Sequence, residues 1–119
     1  MQTNLLQYKR NNIQTAPPEK LILLLYSGAI RFLSLAEEGL EEQNIEKVNT
    51  NVGKVQNILS ELMASLAFEQ EEMASSLFQL YEYMHSELTR ANIHKDPKKI
   101  QSVKKMLTEL RDAWKTAAS

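Results

Sequence analysis

The chain has 119 residues, of which 43% are hydrophobic and 24% charged, and its formal net charge is −1. This composition suits one folded domain and argues against wholesale disorder, a membrane protein and a generic nucleic-acid binder, which would carry a basic surplus. The absence of cysteine excludes disulfide frameworks, cysteine–zinc sites and thiol catalysis.

Residues 1–17 are predicted to form a polar segment ahead of a main domain that spans residues 18–119. The segment lacks the basic start and apolar core of a signal peptide, and the longest apolar run, residues 21–26, is far too short for a membrane span. These features favour a cytoplasmic protein. Because the segment carries Leu5, Leu6, Tyr8 and Ile13, we expect it to add a short helix before the main domain.

Four stretches of the main domain carry apolar residues at the three- and four-residue spacing of amphipathic helices. The first two contain Ile22, Leu25, Ala29, Phe32, Leu33, Ala36 and Leu40, then Ile45, Val48, Val52, Val55, Leu59, Leu62 and Leu66. The last two contain Met73, Leu77, Leu80, Met84, Leu88 and Ala91, then Ile100, Val103, Leu107, Leu110, Trp114 and Ala117. The pattern predicts four helices, each with one apolar stripe.

Local sequence signals mark the ends of these helices. Gly39 and Gln43-Asn44 favour a turn after the first helix, and Asp96-Pro97 places a capping carboxylate before a proline at the first helical position. The break between the second and third helices is placed at residues 67–70 mainly because one unbroken helix would be very long. Four helices and no predicted strands indicate an all-α fold. Because the connections are short, neighbouring helices are predicted to run antiparallel, as an up-down-up-down four-helix bundle.

The first helix carries more apolar surface than a bundle needs. At about 100° per residue, its apolar residues cover an arc of roughly 260°, whereas a bundle helix needs a stripe somewhat over 100° wide. The inner stripe does not account for Leu23, Leu24 and Ile30. Contiguous apolar surface of this kind usually marks a partner site or a site covered by another segment, and residues 1–17 could supply a weakly held cover.

Smaller apolar surpluses occur on the second and third helices. Ile58 lies just outside the second stripe, Phe78 lies well outside the third, and Tyr81 and Tyr83 flank the third stripe on opposite sides. Taken singly, such residues are common on protein surfaces and need no functional explanation. We therefore treat Ile58, Phe78 and Tyr81 as possible extensions of the surface on the first helix.

Catalytic and metal-binding interpretations find little support. Glu82-x-x-His85 resembles the motif of di-iron bundles, but such sites need it on two helices together with further inward glutamates. Here it occurs once, and the helical period places Glu82 on the outer side. The second histidine, His94, completes no catalytic arrangement. The sequence predicts neither an enzyme nor a bound cofactor or metal.

Several segments in the right order resemble a known family. They are Tyr8, Ile13-Gln14-Thr15-Ala16-Pro17-Pro18-Glu19-Lys20-Leu21, Leu25-Tyr26-Ser27-Gly28-Ala29-Ile30, Phe68-Glu69-Gln70, Leu77-x-x-Leu80-Tyr81, Ala91-Asn92-Ile93 and Leu110-Arg111-Asp112-Ala113-Trp114. Together they resemble the flagellar secretion chaperones of the FliS family over nearly the whole chain. The chain departs from the family pattern at Pro17, at Ser27 and at Glu71-Glu72, which stand for a serine, an aspartate and a glycine pair.

The resemblance implies a four-helix bundle with a short additional N-terminal helix. It also implies a cytosolic export chaperone that binds the disordered C-terminal segment of flagellin one-to-one and prevents premature polymerisation before type III secretion. The N-terminal region with its tyrosine is implied to contribute to binding or to cover the empty grooves. The sequence leaves secondary partners open, among them the export apparatus and regulatory proteins.

The two lines of reasoning together give a set of flagellin-binding residues. Tyr8 and Ile13 follow from the resemblance; the groove residues follow from the helical period. They are Leu23, Leu24, Tyr26 and Ile30 on the first helix, with Ile58, Phe78 and Tyr81 for neighbouring grooves. Two alternatives remain at this stage, a structural bundle that forms a homodimer through the first helix and a metal or oxidoreductase bundle.

Overall fold

The computed structural model describes residues 18–66 and 71–118. This part of the chain is all-helical and consists of α1 (Pro18–Glu41), α2 (Ile45–Leu66), α3 (Glu72–His94) and α4 (Pro97–Ala118). The four predicted helices are thereby confirmed. The helix expected within residues 1–17 and the break expected at residues 67–70 lie outside the described residues.

The helices form a four-helix bundle in which each one packs against two others. α1 contacts α2 and α4, and α3 contacts the same two helices, so α1 and α3 lie diagonally across the core. The buried side chains of α1 and α2 follow the expected spacing: Tyr26, Ala29, Leu33 and Ala36 on α1, and Val48, Val52, Val55, Leu59 and Leu62 on α2. Those of α3 and α4 are Ala74, Tyr81, Met84, Leu88, Ala91, Ile100, Val103 and Leu107.

The predicted stripes are wrong at a few positions, most of them near helix ends. Ile45 and Met73 are 62% and 79% exposed, and Ala117 is exposed as well. All three lie within the first two or last two positions of their helices, where the stripe runs past the neighbouring helices. On α3 the buried stripe includes Tyr81 in addition to the predicted Met84, Leu88 and Ala91.

The two described turns share one hydrogen-bonding design. After α1, Gln43 adopts a left-handed φ of 56°, and the amide of Asn44 donates to the carbonyl of Gly39 at 2.8 Å. After α3, Lys95 adopts a φ of 50°, and the amide of Asp96 donates to the carbonyl of Ala91 at 2.9 Å. These are Schellman closures, which satisfy carbonyl groups at the end of a helix.

The residue that closes each helix also starts the next one. Asn44 Oδ1 accepts a hydrogen bond from the amide of Lys47 at 3.0 Å, and Asp96 Oδ1 accepts one from the amide of Lys98 at 3.0 Å. Each side chain therefore caps the N-terminus of the following helix. The predicted turn at Gln43-Asn44 and the predicted cap at Asp96 are confirmed.

Candidate partner-binding surface

The predicted binding residues of α1 fall into three environments. Tyr26 is fully buried, Leu23 and Ile30 are half-buried, and Leu24 is 58% exposed. Ile30 also packs against the core. Among the large hydrophobic residues described on α1, Leu24 is the one that is mainly exposed.

Two neighbouring contacts show which way the sides of α1 face. The ammonium group of Lys54 on α2 lies 5.1 Å from the centre of the Phe32 ring, whereas Glu37 binds Lys104 on α4 through a 2.8 Å ion pair. At about 100° per residue, Leu24 lies on the same side of α1 as Phe32, whereas Leu23 and Ile30 lie on the side of Glu37. The groove predicted from Leu23, Leu24, Tyr26 and Ile30 is thus divided between two sides of α1.

The side of α1 toward α2 carries a continuous set of apolar residues that the core does not fully enclose. Ile58 of α2 belongs to this set because its Cδ1 atom lies 3.9 Å from the position of a Cβ atom on Gly28. All members except the exposed Leu24 and Lys54 are half-buried. We call these apolar residues, together with Lys54 at their edge, the α1–α2 face; its members are Leu21, Leu24, Gly28, Phe32, Leu35, Lys54 and Ile58.

The other predicted binding residues are dispersed. Phe78 is half-buried on α3. It lies on the same side of this helix as Thr89, whose hydroxyl accepts a hydrogen bond from Gln56 Nε2 of α2 at 2.8 Å, so this side faces α2. Tyr81 is 2% exposed and belongs to the core. Tyr8 and Ile13 lie outside the described residues.

Tyr26 and Tyr81 form a polar contact inside the core, which corrects their predicted placement on the surface. Their hydroxyl groups are 2.5 Å apart across the diagonal of the bundle, and Trp114 Nε1 donates a hydrogen bond to Tyr26 Oη at 3.2 Å. The three side chains thereby connect α1, α3 and α4. A stripe through Ile22, Tyr26, Ala29 and Leu33, with steps of four, three and four, is the sequence signal that places Tyr26 inside.

Burial raises the pKa of both tyrosine hydroxyls, and the bond to Tyr26 raises that of Tyr81 further. An unfolded tyrosine ionises near pH 10. The stabilisation from keeping these hydroxyls neutral is therefore complete below about pH 10. It is lost as the pH rises from there toward the raised pKa values of the two hydroxyls in the folded protein. Both groups are neutral at physiological pH and serve as hydrogen-bonding groups.

We expect the free energy of unfolding to fall above about pH 10, by at most about 1.4 kcal/mol per pH unit for each of the two hydroxyls. Urea unfolding at several pH values would measure this slope. The Tyr26→Phe/Tyr81→Phe variant should show a shallower slope, whereas Tyr83→Phe, which removes an exposed hydroxyl group, should retain the wild-type slope. Equal slopes in all three proteins would contradict the assignment.

Other features of the described residues offer no competing site. Residues 18–66 and 71–118 contain no group of three or more metal-ligating side chains, and Glu82 points outward as predicted. No helix in these ranges is both long enough and apolar enough to cross a bilayer. Two clefts near Leu40 have mixed polar linings and contain none of the predicted binding residues.

Comparison with known proteins places the chain in a family. The family model described as Flagellar protein FliS matches residues 1–119. A flagellar secretion chaperone FliS from Bacillus subtilis is 38% identical over 92% of this chain and 82% of its own length. Those from Salmonella typhimurium and Vibrio cholerae are 33% and 29% identical, over 87% and 96% of this chain and 78% and 88% of their own lengths. The chain therefore belongs to the FliS family of flagellar proteins.

Proposed function

We propose that this protein is a cytoplasmic flagellar secretion chaperone that binds the C-terminal segment of flagellin and prevents its polymerisation before type III export. Family membership and the names of the curated relatives support the chaperone role. The single structural observation that carries the binding site is the α1–α2 face, with Leu24 58% exposed. A chaperone whose client folds onto it needs apolar surface outside its own core.

The mode of binding that fits this surface is helix-in-groove recognition. An amphipathic helix presents apolar anchors at positions such as i, i+3, i+4 and i+7 to a long apolar surface. Leu21, Leu24, Phe32 and Leu35 extend along α1 over about four turns and offer matching contacts. A disordered segment that folds on binding typically buries 1,000–3,000 Å², so additional contacts are needed, and Leu23, Ile30 and Phe78 are the half-buried candidates.

Tyr26 and Tyr81 have a different part in this proposal. Because both rings are buried, they serve by positioning α1 against α3 and α4. Tyr8 and Ile13 are proposed to contact or cover the same surface, on the basis of the family motif. The one-to-one stoichiometry and the role of the export apparatus as a later partner are likewise proposals.

We also infer that the four helices run up-down-up-down. Gly39 near the end of α1 lies close to Val48 near the start of α2, while Gly28 lies close to Ile58. The two helices therefore run in opposite directions. The corresponding pairs between α2 and the end of α3 are Asn49 with Lys95 and Gln56 with Thr89. Those between α1 and α4 are Glu37 with Lys104 and Tyr26 with Trp114. Such an arrangement places the start of α1 beside the end of α4.

Light scattering from assembling flagellin tests the proposed function. With this protein in equimolar amounts, flagellin monomers should remain unassembled under conditions where flagellin alone polymerises. Flagellin that lacks its C-terminal segment should not co-migrate with the protein in gel filtration, whereas full-length flagellin should. Polymerisation at an unchanged rate, or equal binding of the truncated form, would contradict the proposal.

A further inference from the structure

A lysine lies near the outer edge of each contact between neighbouring helices, and the environment of Lys54 differs from those of the others. At the turn between α1 and α2, Lys47 pairs with Glu42 at 2.6 Å. Lys104 pairs with Glu37 between α1 and α4 at 2.8 Å, and Lys99 pairs with Glu87 between α3 and α4 at 3.7 Å. Lys95 donates to Asn49 Oδ1 between α2 and α3 at 2.7 Å. Lys54, between α1 and α2, lies over the Phe32 ring instead.

Within the described residues, Lys54 has no carboxylate partner. Its ammonium group is attracted to the negative face of the Phe32 ring, and such contacts are weak at exposed sites. The side chain is exposed, so water currently solvates the charge. Lys54 is thus a cation at the edge of an apolar surface, without an anion of its own.

Occupation of the α1–α2 face would change the surroundings of Lys54. A helix laid across Leu24, Phe32 and Ile58 would remove water from the ammonium group. A charge that loses water without gaining an opposite charge destabilises a complex, and a carboxylate in its place compensates for that loss. The same charge also favours encounter with an acidic segment over a basic one.

We infer that the α1–α2 face selects a partner helix that carries an aspartate or glutamate beside its apolar anchors, and that Lys54 pairs with this carboxylate. The inference rests on the proposed function, because it names the chemistry of the helix bound at that site. Lys54 thereby acts as a specificity-determining residue for the register and the charge of the bound segment.

The test uses the full-length protein and a synthetic peptide of the flagellin C-terminal segment, with titration calorimetry at low and high salt. Lys54→Gln should raise Kd about tenfold at low salt, and the difference from wild type should shrink as salt screens the charge. Lys54→Glu should raise Kd further. Lys105→Gln, a control that removes an exposed charge from α4, should leave Kd unchanged.

A set of peptides in which one acidic residue at a time is replaced by its amide identifies the partner of Lys54. For one of these peptides the Lys54→Gln substitution should have almost no further effect, because the pair is already broken. An unchanged Kd for Lys54→Gln, or effects that add for every peptide, would overturn the inference while leaving the chaperone role intact. If the wild-type protein does not bind the peptide at all, the proposed function fails, and this inference with it.

Discussion

Replacing Gly39 with alanine should lower the free energy of unfolding by about 1–3 kcal/mol, the range found for overpacked positions. A Cβ atom at this position would lie 2.9 Å from Val48 Cγ2 and 3.1 Å from the Val48 amide nitrogen. The Val48 methyl group could rotate away, but the Val48 amide nitrogen can move only if α2 moves with it. Alanine would therefore force α1 and α2 apart at the end where they are joined by the short turn.

Gly53→Ala provides the matched control, since a Cβ atom there would meet nothing within 4 Å apart from the adjacent backbone of its own helix. In the middle of α2 this substitution should stabilise the protein by about 0.5–1 kcal/mol through helix propensity alone. Urea unfolding of both variants gives the comparison. A Gly39→Ala protein as stable as wild type would show that the helices do not approach so closely.

Replacing Leu24 with serine should weaken binding of the flagellin C-terminal peptide by about 10- to 50-fold while the fold is retained. The loss corresponds to about 1.5–2.5 kcal/mol, as expected when an apolar anchor no longer buries its side chain against a partner. Since Leu24 is 58% exposed in the free protein, the substitution should change the free energy of unfolding by less than about 0.5 kcal/mol. Calorimetry and urea unfolding measure the two effects separately.

Ile93→Ser is the control for this variant. Ile93 is 71% exposed and lies near the end of α3, away from the α1–α2 face, so its replacement removes similar apolar surface without touching the proposed site. Equal affinities of the Leu24→Ser variant and the wild-type protein for the peptide would show that the binding site lies elsewhere. Ile30→Ser is less informative, because Ile30 packs against the core and its loss would also destabilise the bundle.

The helices were predictable because their apolar spacing agrees with local end signals. Along α2 the residues from Val48 to Leu62 follow steps of four and three, and all five are buried. Asn44 and Asp96 act as caps because each has a short acceptor side chain directly before a helix. The exposed stripe residues Ile45 and Met73 were not predictable in this way, since spacing along one helix does not show where its neighbours end.

The binding surface was only partly predictable. The excess of apolar residues on α1 is visible in the sequence, and Leu24 is indeed exposed. Which side of α1 faces α2 depends on three-dimensional packing, which separates Leu24 from Leu23 and Ile30. Tyr26 and Tyr81 were misplaced because tyrosine occurs both inside and outside proteins. The hydrogen bonds that satisfy their hydroxyl groups in the core join residues 55 and 88 positions apart, and sequence spacing does not reveal them.

The proposed chaperone role depends on α1 presenting apolar side chains that the other three helices leave uncovered. Titration calorimetry of the wild-type protein with a synthetic flagellin C-terminal peptide tests this most directly. We predict one-to-one binding with a Kd at or below micromolar and a negative heat-capacity change, which marks burial of apolar surface. No heat of binding at any of several temperatures at micromolar concentrations, or binding without a heat-capacity change, would contradict the proposed role.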